Sequence, residues 1–505
     1  MERTEVLIVG AGPTGLVLAL WLTRLGIRVR IVDRAEAPGT TSRALGIQAR
    51  TLELYRLLDL ADAVVGAGHR VPAVNLWTAG TRRARLAFSA DPRDPTPYPF
   101  LLIYPQDAHE RLLIEHLAAA GIRVERGTEL VGFTQDRARI VATLRTTEGA
   151  QVQVAAAYLA GCDGARSTVR ETVGIGFPGG TYERFFYVAD IAADGPAVDG
   201  EIHLNLDRAA DVLAVFPLAE RGRVRLVGTV LDDHAGRRES LTFDDIAATA
   251  LERLRIAPRT VNWFSTYRVH HRVAARFRDG RAFLLGDAGH IHSPAGGQGM
   301  NTGIGDAMNL GWKLAACLRG RADDALLDTY ETERIGFARR LVATTDRVFT
   351  LATSENPLAQ LWRTRLAPLL APLVARSPAL RRSLFRTLSQ IALAYRHSAL
   401  SAGRAGRIHG GDRLPWVAGA DVVGSEWRVH VHGAAAPDLA RWCAQQGLGL
   451  HVFAWSPEAE HVGFARDALY LVRPDGYVAL ADAEASVPTL AAFQAQHGLN
   501  WGADG

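Results

Sequence analysis

Short apolar runs rich in β-branched residues alternate along the chain with segments whose apolar positions recur at helical spacing, which predicts a mixed α/β protein. Glu5 to Val9 reads as a buried parallel strand, and Leu16 to Gly26 as a helix that stops at its terminal glycine. A second β-branched strand, Arg28 to Val32, runs into Asp33. Ala282 to Leu285 is a further buried strand, and the spacing of Ile304, Met308, Trp312 and Leu314 to Ala316 predicts a helix from near Gly303. Between these lie stretches that alternate with a period of two, Val71 to Phe100 and Tyr182 to Arg276, and these predict a sheet. Val212 to Leu218 and Arg223 to Val230 are its clearest strands. Leu326 to Val348 reads as a helix, followed by amphipathic helical pieces from Pro357 to His397 broken at Pro368, Pro372 and Pro378. Small residues from Ser401 to Gly411 mark a boundary, and the rest of the chain holds short strands, including a hairpin through Pro474-Asp475-Gly476.

Composition narrows this picture. Hydrophobic residues make up 48% and charged residues 22%, the balance of a folded soluble protein. At about 150 residues per domain, a chain of 505 suggests three domains. The net charge is only +4, and of 57 basic residues Lys313 alone is a lysine. The arginines are scattered, which excludes a basic nucleic-acid surface. Cys162, Cys317 and Cys443 stand far apart with no CxxC pair, as expected of a reducing, cytoplasmic setting. Val6 to Thr23 carries no charge and approaches the length of a membrane span, but Gly10, Gly12, Pro13 and Gly15 in its middle argue for a turn, so no integral membrane segment is expected.

Those glycines carry the first chemistry. Gly10-Ala-Gly12-Pro-Thr-Gly15, set between strand and helix and followed by a strand ending in Asp33, forms a complete dinucleotide-binding βαβ unit. Gly10 allows the tight turn, Gly12 lets backbone approach a pyrophosphate, Gly15 lets helix pack on strand, and Asp33 would accept ribose hydrogen bonds. FAD and NAD both fit this unit. Farther on, Gly286-Asp287 ends a strand with a carboxylate suited to a polyhydroxyl chain, and Pro294 to Gly299 is a glycine-rich loop before a helix. That helix N-terminus suits the pyrimidine edge of a flavin, where negative charge gathers on reduction.

Three separated motifs, Gly10 to Leu16 (GAGPTGL), Gly161 to Arg170 (GCDGARSTVR) and Leu284 to Asn301 (LLGDAGHIHSPAGGQGMN), make the chain resemble the FAD-dependent aromatic monooxygenases of the para-hydroxybenzoate hydroxylase fold. The phenol-hydroxylase and polyketide-hydroxylase branch is the closer likeness. The resemblance implies an α/β protein with a Rossmann-like FAD-binding domain, an inserted β-sheet substrate domain and a C-terminal thioredoxin-like domain. Its boundaries fall at 1–70 plus 101–180 plus 281–345 for the discontinuous FAD-binding part and 71–100 plus 181–280 for the substrate sheet. A helical segment, 346–400, and the thioredoxin-like part, 401–505, without CxxC, complete the expectation.

Roles follow from the same resemblance. Asp33 and Arg34 would hold the adenosine side, Arg43 would lie against flavin and pyrophosphate, and Gln106 would contact the cofactor. Asp163 would serve both flavin and nicotinamide nucleotide, Asp287 the ribityl and pyrophosphate, and the backbone of Gly299, Met300 and Asn301 the isoalloxazine ring. Arg43 and Pro294 are the catalytic candidates; Phe186, Tyr187, Phe216 and Pro217 are candidate pocket walls, each more often core than contact. Tyr98, Tyr104 and His69 are the residues considered as a phenol base, while His290 and His292, lacking a third ligand, are not read as a metal site. Ile335-Gly336 stands where the family often has Arg-Pro.

The implied activity is hydroxylation of a phenolic or polycyclic aromatic substrate with O2 through a flavin C4a-hydroperoxide, NADPH or NADH serving as transient reductant. Epoxidation or Baeyer–Villiger insertion, and a non-catalytic flavin sensor or scaffold, are the alternatives. A flavin halogenase is disfavoured, because the single lysine, Lys313, follows Trp312, and Leu314 occupies the place of a second tryptophan. For the amphipathic segment at 357–397, a lid or a homodimer contact is the expectation ahead of a membrane surface.

Overall fold

The computed structural model describes residues 1–40, 44–87, 96–205, 212–230, 241–246, 248–293, 295–354 and 356–502. Arg43 and Pro294, the two catalytic candidates, lie outside the described residues. The mixed α/β prediction holds. Glu2–Val9 is flanked by parallel strands Gln151–Gly161 and Val29–Asp33, with Ala282–Leu284 beyond the first and Glu125–Arg126 beyond the second. These strands are nearly continuous apolar runs because helices cover them, chiefly Pro13–Arg24, Gln106–Ala119 and Gly299–Leu318. The last of these begins at Gly299, four residues before the position predicted from periodicity. Its first turn is glycine-rich and carries little apolar signal, yet Thr302 N already donates to Gln298 O (2.9 Å).

A second sheet, of eight strands, runs in the order His290–Ile291, Ala257–Val273, Gly179–Asp194, Arg223–Thr229, Leu213–Pro217, Ile202–Asn205, Ala73–Thr78, Thr81–Ala87. Its period-two alternation puts Tyr187, Leu213, Val215, Val224 and Leu226 on one face, sealed by Phe243, Leu251 and Leu254. The opposite face carries Phe186 and Phe216 and looks toward Leu45, Val71 and Ile103 of the cofactor-binding layer.

The third sheet, of six strands, lies in the C-terminal part. Its predicted hairpin is present: Leu469–Val472 pairs antiparallel with Val478–Asp482, and Gly476, at φ +79°, turns the chain between them. Val429, Val431, Leu469 and Phe493 of this part share one continuous core with the first sheet. The helix Ala325–Thr353 runs unbroken past residue 345, so it joins the cofactor-binding layer to the helices that follow.

One core histidine has a pH consequence. His109 is fully buried in the helix Gln106–Ala119, hydrogen-bonded through Nε2 to the Tyr55 hydroxyl (2.8 Å), and burial pulls its imidazole down to about 3. The folded state keeps the ring neutral while the unfolded chain protonates it near pH 6.5. Its contribution is therefore whole above about pH 6.5 and falls as pH drops toward the folded value, by up to about 1.4 kcal/mol per pH unit. His109→Gln should flatten that decline in denaturant titrations at successive pH values, and an unchanged slope would remove His109 as its source.

Candidate cofactor and substrate site

The carboxyl ends of four parallel strands meet in one row. Val9 is in register with Gly161 on one side and Val32 on the other, and Gly161 with Leu284. Loops leaving this row converge, as at a ligand crevice of an open α/β sheet. At Gly10, φ is +103°, and a Cβ would lie 2.2 Å from Cys162 O; at Gly15 it would lie 2.0 Å from Gly10 O. Both positions therefore require glycine. At Gly12 a Cβ would meet nothing within 4 Å, so space is open above the turn. No side chain caps the helix Pro13–Arg24, which leaves its first amides facing that space.

Asp33 closes the turn from the next strand. Its carboxylate accepts from Ala11 N (2.6 Å) and Ala35 N (2.8 Å), with Arg126 Nη1 3.8 Å away, and Arg34 beside it is exposed. Gln106 begins the helix Gln106–Ala119, donates from Nε2 to Glu110 Oε1 (2.7 Å), and its N–H bonds Ala44 O (3.0 Å). Burial raises the Glu110 carboxyl, and the charges of Arg126 and Asp33 also act on it, so Gln106 belongs to the Asp33 corner.

Asp163 is committed to its own turn. It accepts from Ser167 Oγ (2.6 Å), the residue whose side chain caps the short helix Thr168–Thr172, and from Val169 N (3.1 Å), and burial pushes its carboxyl up. Arg170, which sequence reasoning left without a role, ties this turn to the next: Nη1 donates to Ala288 O (2.9 Å) and Nη2 to Ala165 O (2.9 Å). Asp287 stands exposed between buried Gly286 and Ala288. Its turn presses on the glycine turn, since a Cβ on Gly286 would come within 2.7 Å of Thr14 Oγ1.

The loop before the helix Gly299–Leu318 is clamped by Asn301. Its Oδ1 accepts from Gln48 N (2.9 Å) and Thr51 Oγ1 (2.7 Å), while Nδ2 donates to Gly46 O (2.8 Å) and Gly297 O (2.9 Å). The side chain is thus spent on holding two loops together. No side chain caps this helix either, and with the first intrahelical bond made by Thr302, the amides of Gly299, Met300 and Asn301 are left for another acceptor.

Sequence reasoning missed what lies beneath. Asp306, fully buried, accepts from Gly286 N (3.0 Å) and Arg334 Nε (2.6 Å) and is bonded to His290 Nε2 (2.7 Å). A charged residue in the apolar stripe of Ile304, Ala307 and Met308 was the available signal. Burial alone would raise its carboxyl, yet the charges of Arg334 and His290 hold it below the ordinary carboxylate range. Burial pushes the Cys162 thiol well up, in keeping with no nucleophilic role.

Among the four candidate pocket residues, strand alternation separates two pairs. Phe216 packs near Leu45, Val71 and Ile103, and Phe186 near Tyr182, Tyr267 and Val269, on the face turned to the cofactor-binding layer. Tyr187 belongs to the core on the other face, with Pro217 at the same parity as Val215. Of the three considered bases, His69 Nε2 bonds Gly200 O (2.8 Å), Tyr104 donates to Ala108 O (3.1 Å), and burial pushes Tyr98 up to about 12. Tyr182 donates to Asp346, with the His271 ring 4.8 Å from its own, and burial together with Asp346 pushes its phenol up.

Comparison with known proteins decides among flavin and nicotinamide readings. A family model described as an FAD binding domain matches residues 3–345. The chain belongs to that FAD-binding family. It is a flavin-dependent monooxygenase, with FAD as cofactor and NAD(P)H as reductant. It is 41% identical over 362 residues to 6-methylpretetramide 4-monooxygenase of Streptomyces rimosus, a match covering 71% of this chain and 64% of the relative. It is 33% identical over 497 residues to the 12-dehydrotetracycline 5-monooxygenase/anhydrotetracycline 6-monooxygenase of the same species, covering 94% and 95%. A solved ternary complex of aklavinone-11 hydroxylase with FAD and aklavinone superposes with TM-score 0.79 at 27% identity over 99% of each chain.

The geometry is compatible with the family's cofactor. Two helix N-termini without side-chain caps, the open space above Gly12 and the exposed carboxylate of Asp287 supply the donors, room and acceptor that a pyrophosphate, a ring edge and a ribityl chain need.

Proposed function

We propose that this FAD-dependent monooxygenase hydroxylates a phenolic or polycyclic aromatic, polyketide-like compound. The observation that carries the reading is the apolar sheet face of Phe216, packed near Leu45, Val71 and Ile103 beside the layer that holds the glycine turn. An apolar wall of this kind suits a flat, electron-rich ring system, and the names of the relatives point the same way.

FAD, when bound and reduced by NAD(P)H, supplies the activation of O2. The chain's own residues supply binding and exclusion of water. In this reading the amides at the start of Pro13–Arg24, freed by Gly10, Gly12 and Gly15, hold the pyrophosphate. Asp33 and Arg34 hold the adenosine ribose, with Gln106 beside them. Asp287 takes the ribityl hydroxyls, and the amides of Gly299, Met300 and Asn301 face the electron-rich edge of the ring. Asp163 keeps the neighbouring turn in place, and Phe186 and Phe216 keep the substrate side dry.

Purified protein should be yellow, bleach anaerobically with NADPH or NADH, and oxidise the nucleotide faster when phenols or polyketide-like quinones are screened. The compound that accelerates oxidation should gain one oxygen atom on an aromatic carbon. Ring-expanded lactones or epoxides would instead support the insertion and epoxidation alternatives. Asp287→Ala should weaken FAD binding about tenfold to a hundredfold, the loss expected for hydrogen bonds to a charged acceptor. Unchanged flavin affinity in a fluorescence titration would take Asp287 out of the site.

A further inference from the structure

Helices in soluble proteins turn their apolar stripe inward. Those between Pro357 and Leu388 do the reverse. Of the fifteen large apolar side chains exposed among the described residues, ten lie between Leu358 and Leu388. In the helix Ala367–Arg376 the stripe of Leu369, Leu370 and Leu373 is 68%, 47% and 56% exposed, and Leu380, Leu384 and Leu388 repeat at four-residue spacing along Pro378–Leu388. Trp362 is exposed beside them. A contiguous outward patch of this kind marks an interaction surface.

Charge selects the partner. From Asn356 to Leu388 the sequence holds six arginines and no acid, and of these only Arg363 is buried. Arg365 and Arg376, both exposed and without an acidic partner among the described residues, bracket the leucine stripe, with Arg386 exposed on the next helix. An apolar face rimmed by cations and carrying a tryptophan has the chemistry of a helix lying in a lipid interface. A second copy of the chain is a poorer match. A two-fold contact centred on this stripe would set Arg365 and Arg376 against their own copies, with no acid in the segment to compensate.

We propose that the helices spanning 357–388 seat this enzyme peripherally on an anionic lipid surface, with the leucines entering the interface and the arginines on the headgroups. The seat adjoins the proposed site. The helix Ala367–Arg376 packs on the edge strand Thr81–Ala87, and Leu388 O accepts from Gln298 Nε2 (2.8 Å) in the loop before Gly299. An apolar aromatic substrate dissolved in the bilayer would then be taken up beside the cofactor. This last step rests on the proposed substrate class; the seating itself does not.

The test is co-sedimentation of FAD-loaded enzyme with vesicles of phosphatidylcholine alone and of phosphatidylcholine mixed with phosphatidylglycerol. Binding is expected to the mixed vesicles, to weaken as salt is raised, and to fall roughly five-fold for each of Arg365→Gln and Arg376→Gln. The double variant Leu369→Glu/Leu373→Glu should lose at least about tenfold, while its NADPH oxidation with a water-soluble phenol stays unchanged. Absence of vesicle binding overturns the proposal. If the wild type then sediments as a dimer that the double variant splits, a second copy covers the face. If it is monomeric and the double variant raises KM, the helices close over substrate instead.

Discussion

Glu333→Gln is expected to destabilise the protein by about 3–5 kcal/mol, the cost of breaking a buried ion pair from one side. Glu333 has a fully buried side chain at the junction of cofactor and C-terminal layers. It accepts from Arg473 Nη1 (2.7 Å) and Nη2 (3.0 Å), Lys313 Nζ (2.9 Å), Asn309 Nδ2 (2.6 Å) and Ser398 Oγ (2.7 Å). Arg473 in turn bonds Asp475, whose other partners are the Trp312 indole N–H (3.1 Å) and, through the backbone carbonyl, Arg50 (2.6 Å). Two cations face two carboxylates, so the cluster is neutral as a whole. Burial alone would raise the Glu333 carboxyl, but the Arg473 and Lys313 charges hold it well below the usual range. Glutamine keeps the size, removes the charge and leaves Arg473 and Lys313 with one carboxylate between them.

The sign with pH follows. A carboxylate depressed in the folded state contributes fully above its unfolded value near 4.3, and that contribution is lost as pH falls below it. Wild-type stability should therefore drop steeply in acid, and the Glu333→Gln variant should drop less. Adding Lys313→Met to Glu333→Gln removes one cation with the anion and should recover part of the loss. If the double variant is no better than the single one, packing rather than charge explains the damage. The flavin-release temperature is a suitable readout, because a chain of several layers need not unfold in one step.

The same cluster marks where sequence reading stops. Lys313 was conspicuous as the only lysine, and the Pro474-Asp475-Gly476 turn was predicted as a hairpin, yet nothing in either segment says that they meet. Local signals carried the local structure: the glycine turn, the strands on both sides of it and the Asp33 corner follow from spacings within about thirty residues. Pairings across long separations did not. Arg473 to Glu333 needs the C-terminal sheet to be packed on the helix Ala325–Thr353 before its partner is defined, and even the nearer pair Asp306 to Arg334 depends on two helices docking rather than on a local pattern. Alternation predicted the strands at Val212 to Leu218 and Arg223 to Val230, but not which face meets the cofactor layer. That is why Tyr187 and Pro217 were grouped with Phe186 and Phe216, from which pleating separates them.

Asp306→Asn should weaken FAD binding by roughly a hundredfold, although Asp306 touches none of the expected cofactor positions. It is a positioning residue, and the argument runs through the turn Gly286–Ala288. One oxygen of Asp306 holds both sides of that turn, accepting from Gly286 N (3.0 Å) and bonding His290 Nε2 (2.7 Å), and so sets where Asp287 projects. The other oxygen accepts from Arg334 Nε (2.6 Å), whose Nη2 donates to Thr302 O (2.9 Å) in the first turn of Gly299–Leu318 and whose Nη1 donates to Tyr395 Oη (2.8 Å). One carboxylate therefore fixes both the Asp287 turn and the helix whose amides are proposed to face the ring. Asparagine can satisfy Arg334 or the turn, but its NH2 then opposes a donor on the other side. An unsatisfied buried donor costs about 1–3 kcal/mol, and losing compensation of Arg334 adds to that. Flavin affinity and flavin absorbance should shift together, while Asp306→Glu, which keeps the charge, should recover part of the affinity if the backbone admits the longer chain. Should Asp306→Asn lower the thermal midpoint of the apoprotein yet bind FAD as tightly as wild type, Asp306 serves the fold alone and the positioning role fails.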